Sequence, residues 1–253
     1  MLSKLKKAIP AIISALLCVT MLLGITASAE KKSSIDRNIW NDTKALTNAK
    51  YNSKYIKLAA KYSEKDSKNT VTYDKSRMKK FTDKFTKAAN AKNPELSLSL
   101  IDKESIIYMA VKDNNGKVVI CMYGMGLAFY SDGKKMSYLS VEDKIMTDDI
   151  EDDSTGADIA ASIADEFDFG ISENAKGKIF KFKSEEKIYY YEEFENDYYV
   201  VGMLFNENGS PLAIVADDEV YCISFKTSVD DSEFKIPKGY KDIDIDDFYD
   251  YGF

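Results

Sequence analysis

The amino-acid sequence predicts an α+β domain in which one large, curved antiparallel sheet packs against helices. Apolar residues alternate along many short runs separated by tight turns, and two other segments have helical periodicity. Many of the runs are also apolar on both faces, which requires either a second layer of helices or strands or an apolar cavity. A sheet of about nine short strands must curve or coil, and helices with one apolar stripe cover such a sheet.

The first 29 residues have the three parts of a cleavable signal peptide. Three lysines within the first seven residues precede an apolar stretch from residue 8 to about residue 25. Ala27-Ser28-Ala29 then provides the small residues that signal peptidase requires. We expect cleavage near Ala29 and an extracytoplasmic location, in the cell envelope or outside the cell. An uncleaved membrane anchor is the alternative, since the apolar stretch is nearly long enough to span a bilayer.

Composition excludes several classes of function. The chain has no histidine, so it cannot form a Ser-His-Asp triad or a His-containing zinc or haem site. Loss of the three signal-peptide lysines would change the formal net charge from −7 to −10, which disfavours nucleic acid as a partner. Only Cys121 and Cys222 remain after cleavage, and they are predicted to be either a disulfide or two buried thiols. We expect neither a metal nor an organic cofactor.

The segment 30–70 is a polar lead-in, expected to be partly helical or mobile, with a short helix over Lys54–Lys65. A second helix is predicted over Lys75–Ala91 from clearer periodicity, since apolar residues recur on one face and lysines cover the other. Asp74 is the expected N-cap, and Asn93-Pro94 ends the helix.

Two meanders of strands complete a single domain over residues 71–253. Turn sequences such as Asp113-Asn114-Asn115-Gly116 separate the strands. A helix over 154–168, in which Ile159, Ile163 and Phe167 share a face and which Gly170 ends, divides the meanders. The predicted strands of the first meander span 96–100, 104–112, 117–123, 127–130, 135–141 and 142–146. Those of the second span 178–183, 187–195, 198–205, 211–216 and 219–225.

This order of elements resembles the lipoprotein-carrier fold of the LolA and LppX proteins, over about residues 72–242. The matching features are the amphipathic helix Met78–Ala89, the hairpin Tyr130–Lys135, the dividing helix, the run Tyr189–Phe194, and an ending of the form Phe-x-Ile-Pro-x-Gly-Tyr at 234–240. The resemblance implies an unclosed half-barrel whose concave face is covered by helices. No arginine falls on a predicted strand, whereas some carriers use a strand arginine in handling cargo.

The resemblance also implies a function without catalysis. We expect a binding protein that holds a lipid, an acyl chain, a lipoprotein or another apolar ligand in a cavity between sheet and helices. Methionine suits an adaptable apolar pocket because its side chain is flexible. The residues expected to line the cavity are Phe81, Phe85, Met109, Met122, Phe129, Met136, Tyr190 and Met203.

An extracellular carbohydrate-active enzyme or a sugar-binding module is the alternative, using surface carboxylates and tyrosines. Glu192 and Glu193 could supply a pair of carboxylates, but a solvated strand face is the simpler interpretation of these two residues. The acidic residues of 148–153 and of the tail 242–250 leave open a calcium site, with solvated loops or charges at a helix start as the alternative. The run 148–153 does not fit the EF-hand template.

Overall fold

A computed structural model of the chain describes residues 51–253, apart from 104, 123–124, 142, 149–154, 197–199, 217–218 and 251–253. Side chains at 122, 125, 166 and 248–250 are also outside the description. The predicted signal peptide at 1–29 and the beginning of the lead-in segment therefore lie outside the described residues. None of the helices formed by the described residues has the length and apolar character needed to cross a membrane.

One sheet of thirteen strands dominates the described part of the chain. Its order is β1-β8-β9-β10-β11-β12-β2-β3-β4-β5-β6-β7-β13, and only the pair β7–β13 is parallel. The predicted α+β class with a curved, unclosed antiparallel sheet is confirmed. The strands are β1 (Thr70–Thr72), β2 (Glu95–Ile101), β3 (Ser105–Lys112), β4 (Asn115–Met122), β5 (Met125–Ser131), β6 (Met136–Ser140), β7 (Ile145–Thr147), β8 (Lys176–Ser184), β9 (Lys187–Glu195), β10 (Val200–Asn206), β11 (Pro211–Ala216), β12 (Glu219–Lys226) and β13 (Lys241–Asp242).

The two predicted meanders join edge to edge because β12 pairs with β2, with Cys222 opposite Ile101 and Lys226 opposite Ser97. The eleven predicted strand segments correspond to β2–β12, and the sheet has two further strands. β1 and β13, its two edges, have three and two residues, too few to show an alternating pattern in the sequence.

Helix α2 (Arg77–Ala89) packs on the sheet face that carries Leu96, Met109 and Met203, called the first face from here on. The predicted N-cap at Asp74 was wrong, because that residue lies in a 3-10 turn, Tyr73–Lys75. Ser76 caps α2 instead, and its hydroxyl accepts a hydrogen bond of 2.9 Å from the Lys79 backbone N–H.

Helix α3 (Gly156–Glu166) lies beside α2 on the first face. It corresponds to the helix predicted to divide the two meanders. Thr155 and Asp158 form a capping box at its start. The Gly156 N–H donates to the Asn114 carbonyl at 2.8 Å, which ties α3 to the β3–β4 hairpin. A Cβ at Gly156 would lie 2.2 Å from the Asn115 carbonyl oxygen, so this approach requires glycine.

The opposite, second face of the sheet is also covered, by two segments. Helix α1 (Ser53–Ser63), within the lead-in segment, packs Ala59 against a cluster that includes Tyr191 and Leu204. Residues 229–240, called the C-terminal segment, pack over strands β3–β6, where Phe234 and Tyr240 meet apolar side chains such as Val119. Both faces are therefore covered by protein, which explains the strands that are apolar on both sides. A short helix, α4 (Ile245–Asp250), follows.

Cys121 and Cys222 are both buried, and within the described residues they are two thiols rather than a disulfide. Cys121 packs in the cluster on the second face. Cys222 lies under the start of α1, and its sulfur accepts a hydrogen bond of 3.2 Å from the Asn52 backbone N–H. Burial raises the pKa of the Cys222 thiol, which therefore stays protonated at neutral pH.

Candidate functional site

The layer between the first face and helices α2 and α3 contains the residues predicted to line an apolar cavity. Five of them have side chains at most 4% exposed: Phe81, Phe85, Met109, Met136 and Met203. Phe129 and Tyr190 are partly buried and pack against the same cluster. Met122 lies on β4, but its side chain is outside the described residues. We call this cluster the apolar layer.

Phenylalanine rings from three elements meet at the centre of the apolar layer. The ring centroid of Phe85 lies 4.9 Å from that of Phe167, just after α3, and 5.4 Å from that of Phe225 on β12. Phe81 contacts the same two rings at 6.2 and 5.7 Å. These distances fall within the range of favourable aromatic pairs, so the rings join both helices to the sheet.

Phe167 and Phe225 were not among the residues predicted for the cavity, although the sequence contained a signal for each. Phe167 shares its helical face with Ile159 and Ile163, and all three lie in the apolar layer. Phe225 lies two residues from Ile223 on the same strand, so both point to the first face.

A buried carboxylate fixes the N-terminus of α2 to the sheet. Glu192 on β9 has no exposed surface, and it accepts hydrogen bonds from the backbone N–H groups of Arg77 at 2.7 Å and Met78 at 3.1 Å. The Arg77 guanidinium donates a third, at 3.0 Å. A carboxylate at this position satisfies N–H groups that have no partner within the helix and also interacts favourably with the helix dipole.

The interpretation of Glu192 and Glu193 as a solvated strand face was therefore wrong. Glu192 points into the first face. Glu193, on the second face, accepts a hydrogen bond of 2.7 Å from the Tyr191 hydroxyl and forms an ion pair of 2.7 Å with Lys178. Because the two carboxylates lie on opposite faces of one strand, they cannot flank a common substrate as a glycosidase pair does.

Arg77 gives the apolar layer a polar border. Its guanidinium carbon lies 3.4 Å from the ring centroid of Tyr190, so it stacks on a residue predicted to line the cavity. Arg77 is thus a charged side chain at the border of the apolar layer.

The acidic segments do not form a metal site in the residues that the structure describes, where no group of three His, Cys, Asp or Glu side chains comes together. Most of the acidic run 148–153 lies outside those residues. Asp148 is described, and it forms an ion pair with Lys135 in the neighbouring hairpin.

Comparison with known proteins adds no family assignment. No protein-family model and no curated protein matches the chain. Among solved structures, it is similar to an uncharacterized conserved protein from Thermus thermophilus, with a TM-score of 0.33 and 10% sequence identity. The match covers 65% of this chain and 98% of that one. A likeness of this size carries no functional inference, so function has to be inferred from the site itself.

Proposed function

We propose that this chain is an exported, non-catalytic binding protein that holds a lipid or another apolar molecule between the first face and helices α2 and α3. The observation that carries the proposal is the apolar layer. The seven predicted cavity residues whose side chains are described all belong to it, although they come from one helix and five strands. The resemblance to the lipoprotein carriers supports the same ligand class.

The two helices are attached to the sheet in different ways. Glu192 fixes α2 with three hydrogen bonds. The contacts of α3 with the first face are made by apolar side chains, including Ile159, Ala160 and Ala164, in addition to the hydrogen bond of Gly156 at its start. Apolar contacts are non-directional, so a ligand chain can replace them. We therefore propose that α3 moves aside and α2 stays in place.

The apolar surface of a ligand supplies free energy for such an exchange, and the apolar burial that α3 loses when it moves opposes it. An acyl chain that removes about 300 Å² of apolar surface from water gains roughly 7 kcal/mol, at about 25 cal/mol per Å², before the entropy costs of binding. A ligand can therefore bind by the apolar area that it removes from water, without a specific polar contact.

Native mass spectrometry of the purified protein, combined with titration of a fluorescent fatty acid, tests this proposal. The neighbours Met203 and Leu204 offer a matched pair, because both are fully buried but lie on opposite faces of β10. Each change to alanine costs about 2–5 kcal/mol of stability. We expect Met203→Ala to change the affinity for the fatty acid severalfold and Leu204→Ala to leave it unchanged. Absence of saturable binding to the unaltered protein would refute the proposal.

A further inference from the structure

A polar cavity lies on the second face, on the other side of the sheet from the apolar layer. It has a volume of about 400 Å³ and opens where the C-terminal segment begins to cross the sheet. Strands β2, β3 and β12 form its floor, and the chain after β12 forms its wall. Its lining residues are Ser97, Tyr108, Lys226, Ser228, Val229, Asp230 and Glu233.

A buried ion pair stands behind this cavity. The Lys117 ammonium lies 3.4 Å from a carboxylate oxygen of Glu233, and the two side chains are 1% and 6% exposed. The rings of Tyr108 and Tyr130 flank the ammonium, with centroids 5.6 and 5.3 Å away. Burying such a pair is costly, and apolar side chains of similar volume would commonly stabilise a fold as well or better.

The Tyr108 hydroxyl extends the polar network to the floor of the cavity. Burial raises the pKa of Tyr108 and the nearby Glu233 carboxylate raises it further, whereas a hydrogen bond with Ser97 lowers it. The net effect is upward, so the hydroxyl remains neutral and both donates and accepts hydrogen bonds. Ser97 is itself only 7% exposed and Tyr108 only 2%. The floor thus contains largely buried hydroxyl groups held in place by the sheet.

We infer that this cavity binds a small, neutral polyhydroxyl compound, such as one unit of a saccharide. Three hydroxyl groups line it, from Ser97, Tyr108 and Ser228, together with the carboxylates of Asp230 and Glu233. Sugar hydroxyls donate to carboxylates and exchange hydrogen bonds with protein hydroxyls, so they complement this set. The volume lies within the range of small-molecule sites.

The charges of the cavity are balanced, which favours a neutral ligand over an ion. Glu233 pairs with the Lys117 ammonium behind the floor, and Lys226 and Asp230 add one charge of each sign to the lining. Equal numbers of each charge leave no excess with which to attract a phosphate or a cation. This site is separate from the apolar layer, and either can exist without the other.

Titration of the full chain with glucose, N-acetylglucosamine and maltose, followed by backbone NMR shifts, tests the inference. We expect saturable shifts at cavity residues with at least one saccharide. Ser228→Trp should abolish them by filling the cavity, whereas Thr227→Trp, at the exposed neighbouring position outside the lining, should retain them. Absence of shifts with all three sugars, or equal binding by both variants, would overturn the inference.

A milder pair of variants guards against loss of folding. Lys226→Met should weaken saccharide binding at least tenfold, and Lys238→Met, which removes the same charge from an exposed position outside the lining, should not. Glycine betaine serves as a zwitterionic probe of similar size. If it binds in the cavity and the saccharides do not, the assignment to a polyhydroxyl ligand is wrong.

Discussion

The anchoring of α2 by Glu192 leads to a prediction that can be worked out in magnitude from the structure. The carboxylate is fully buried and accepts three hydrogen bonds, two from backbone N–H groups and one from the Arg77 guanidinium. Glu192→Gln keeps the volume but removes the charge and replaces one acceptor oxygen by a donor. Hydrogen bonds to charged groups contribute about 1.5–3 kcal/mol each, and the amide retains part of this. We expect a loss of about 2–3 kcal/mol.

Glu192→Ala should cost more, about 3–5 kcal/mol, because it removes one partner of a buried charged pair and leaves helix N–H groups without an acceptor. Arg77→Ala should cost less than either, since the two backbone donors to Glu192 remain and the arginine side chain is 28% exposed. The order of the three losses in stability follows from the geometry alone.

Urea unfolding gives these free energies, and amide hydrogen exchange should show loss of protection confined to the first turn of α2 in Glu192→Gln. The control is Glu195→Gln, which makes the same change at an exposed position of the same strand and should lie within about 0.5 kcal/mol of the unaltered protein. If Glu192→Gln lowered the free energy of unfolding as little as Glu195→Gln, Glu192 would not anchor α2.

Three further predictions concern other parts of the fold. Gly156→Ala should destabilise by about 1–3 kcal/mol in urea unfolding, because its methyl group overlaps the Asn115 carbonyl; an unchanged midpoint would contradict this close approach. Lys117→Met should cost about 3–5 kcal/mol, and the double change with Glu233→Leu should recover much of it; a double-mutant cycle without coupling would refute the buried pair. Stability should fall as pH rises above about 9, the ordinary pKa of a thiol, because burial raises the pKa of Cys222 and the unfolded chain loses its proton first. A flat urea midpoint between pH 8 and 10, or no flattening in Cys222→Ala, would contradict this.

Local sequence signals predicted much of the fold. The turn at Asp113–Gly116 forms as expected, with Asp113 at a φ of 54°, and the helical periodicities of α2 and α3 correspond to buried faces. These features depend on residues close together in the chain, where turn chemistry and periodicity act directly.

Long-range pairing explains what the sequence could not predict. In the sequence, Glu192 looks like a surface residue beside Glu193. It is buried because the strand register points it toward the N-terminus of α2, which lies 115 residues earlier in the chain. The pair Lys117–Glu233 spans 116 residues, and the C-terminal segment that supplies Glu233 has no periodic pattern. From the sequence, strands that are apolar on both faces could be explained by a second layer or by an apolar cavity. The structure places α1 and the C-terminal segment on the second face as that layer.

The most direct test of the proposed function is to locate a bound fatty acid relative to the two faces of the sheet. Methionine methyl groups report on both faces: Met78, Met109, Met136 and Met203 lie in the apolar layer, and Met146 packs with the cluster on the second face. Methyl NMR of methionine-labelled protein titrated with a fatty acid should show saturable shifts of the four first-face signals and little change of the Met146 signal. Shifts of Met146 alone, or of no methionine at saturating ligand, would contradict binding beneath α2 and α3.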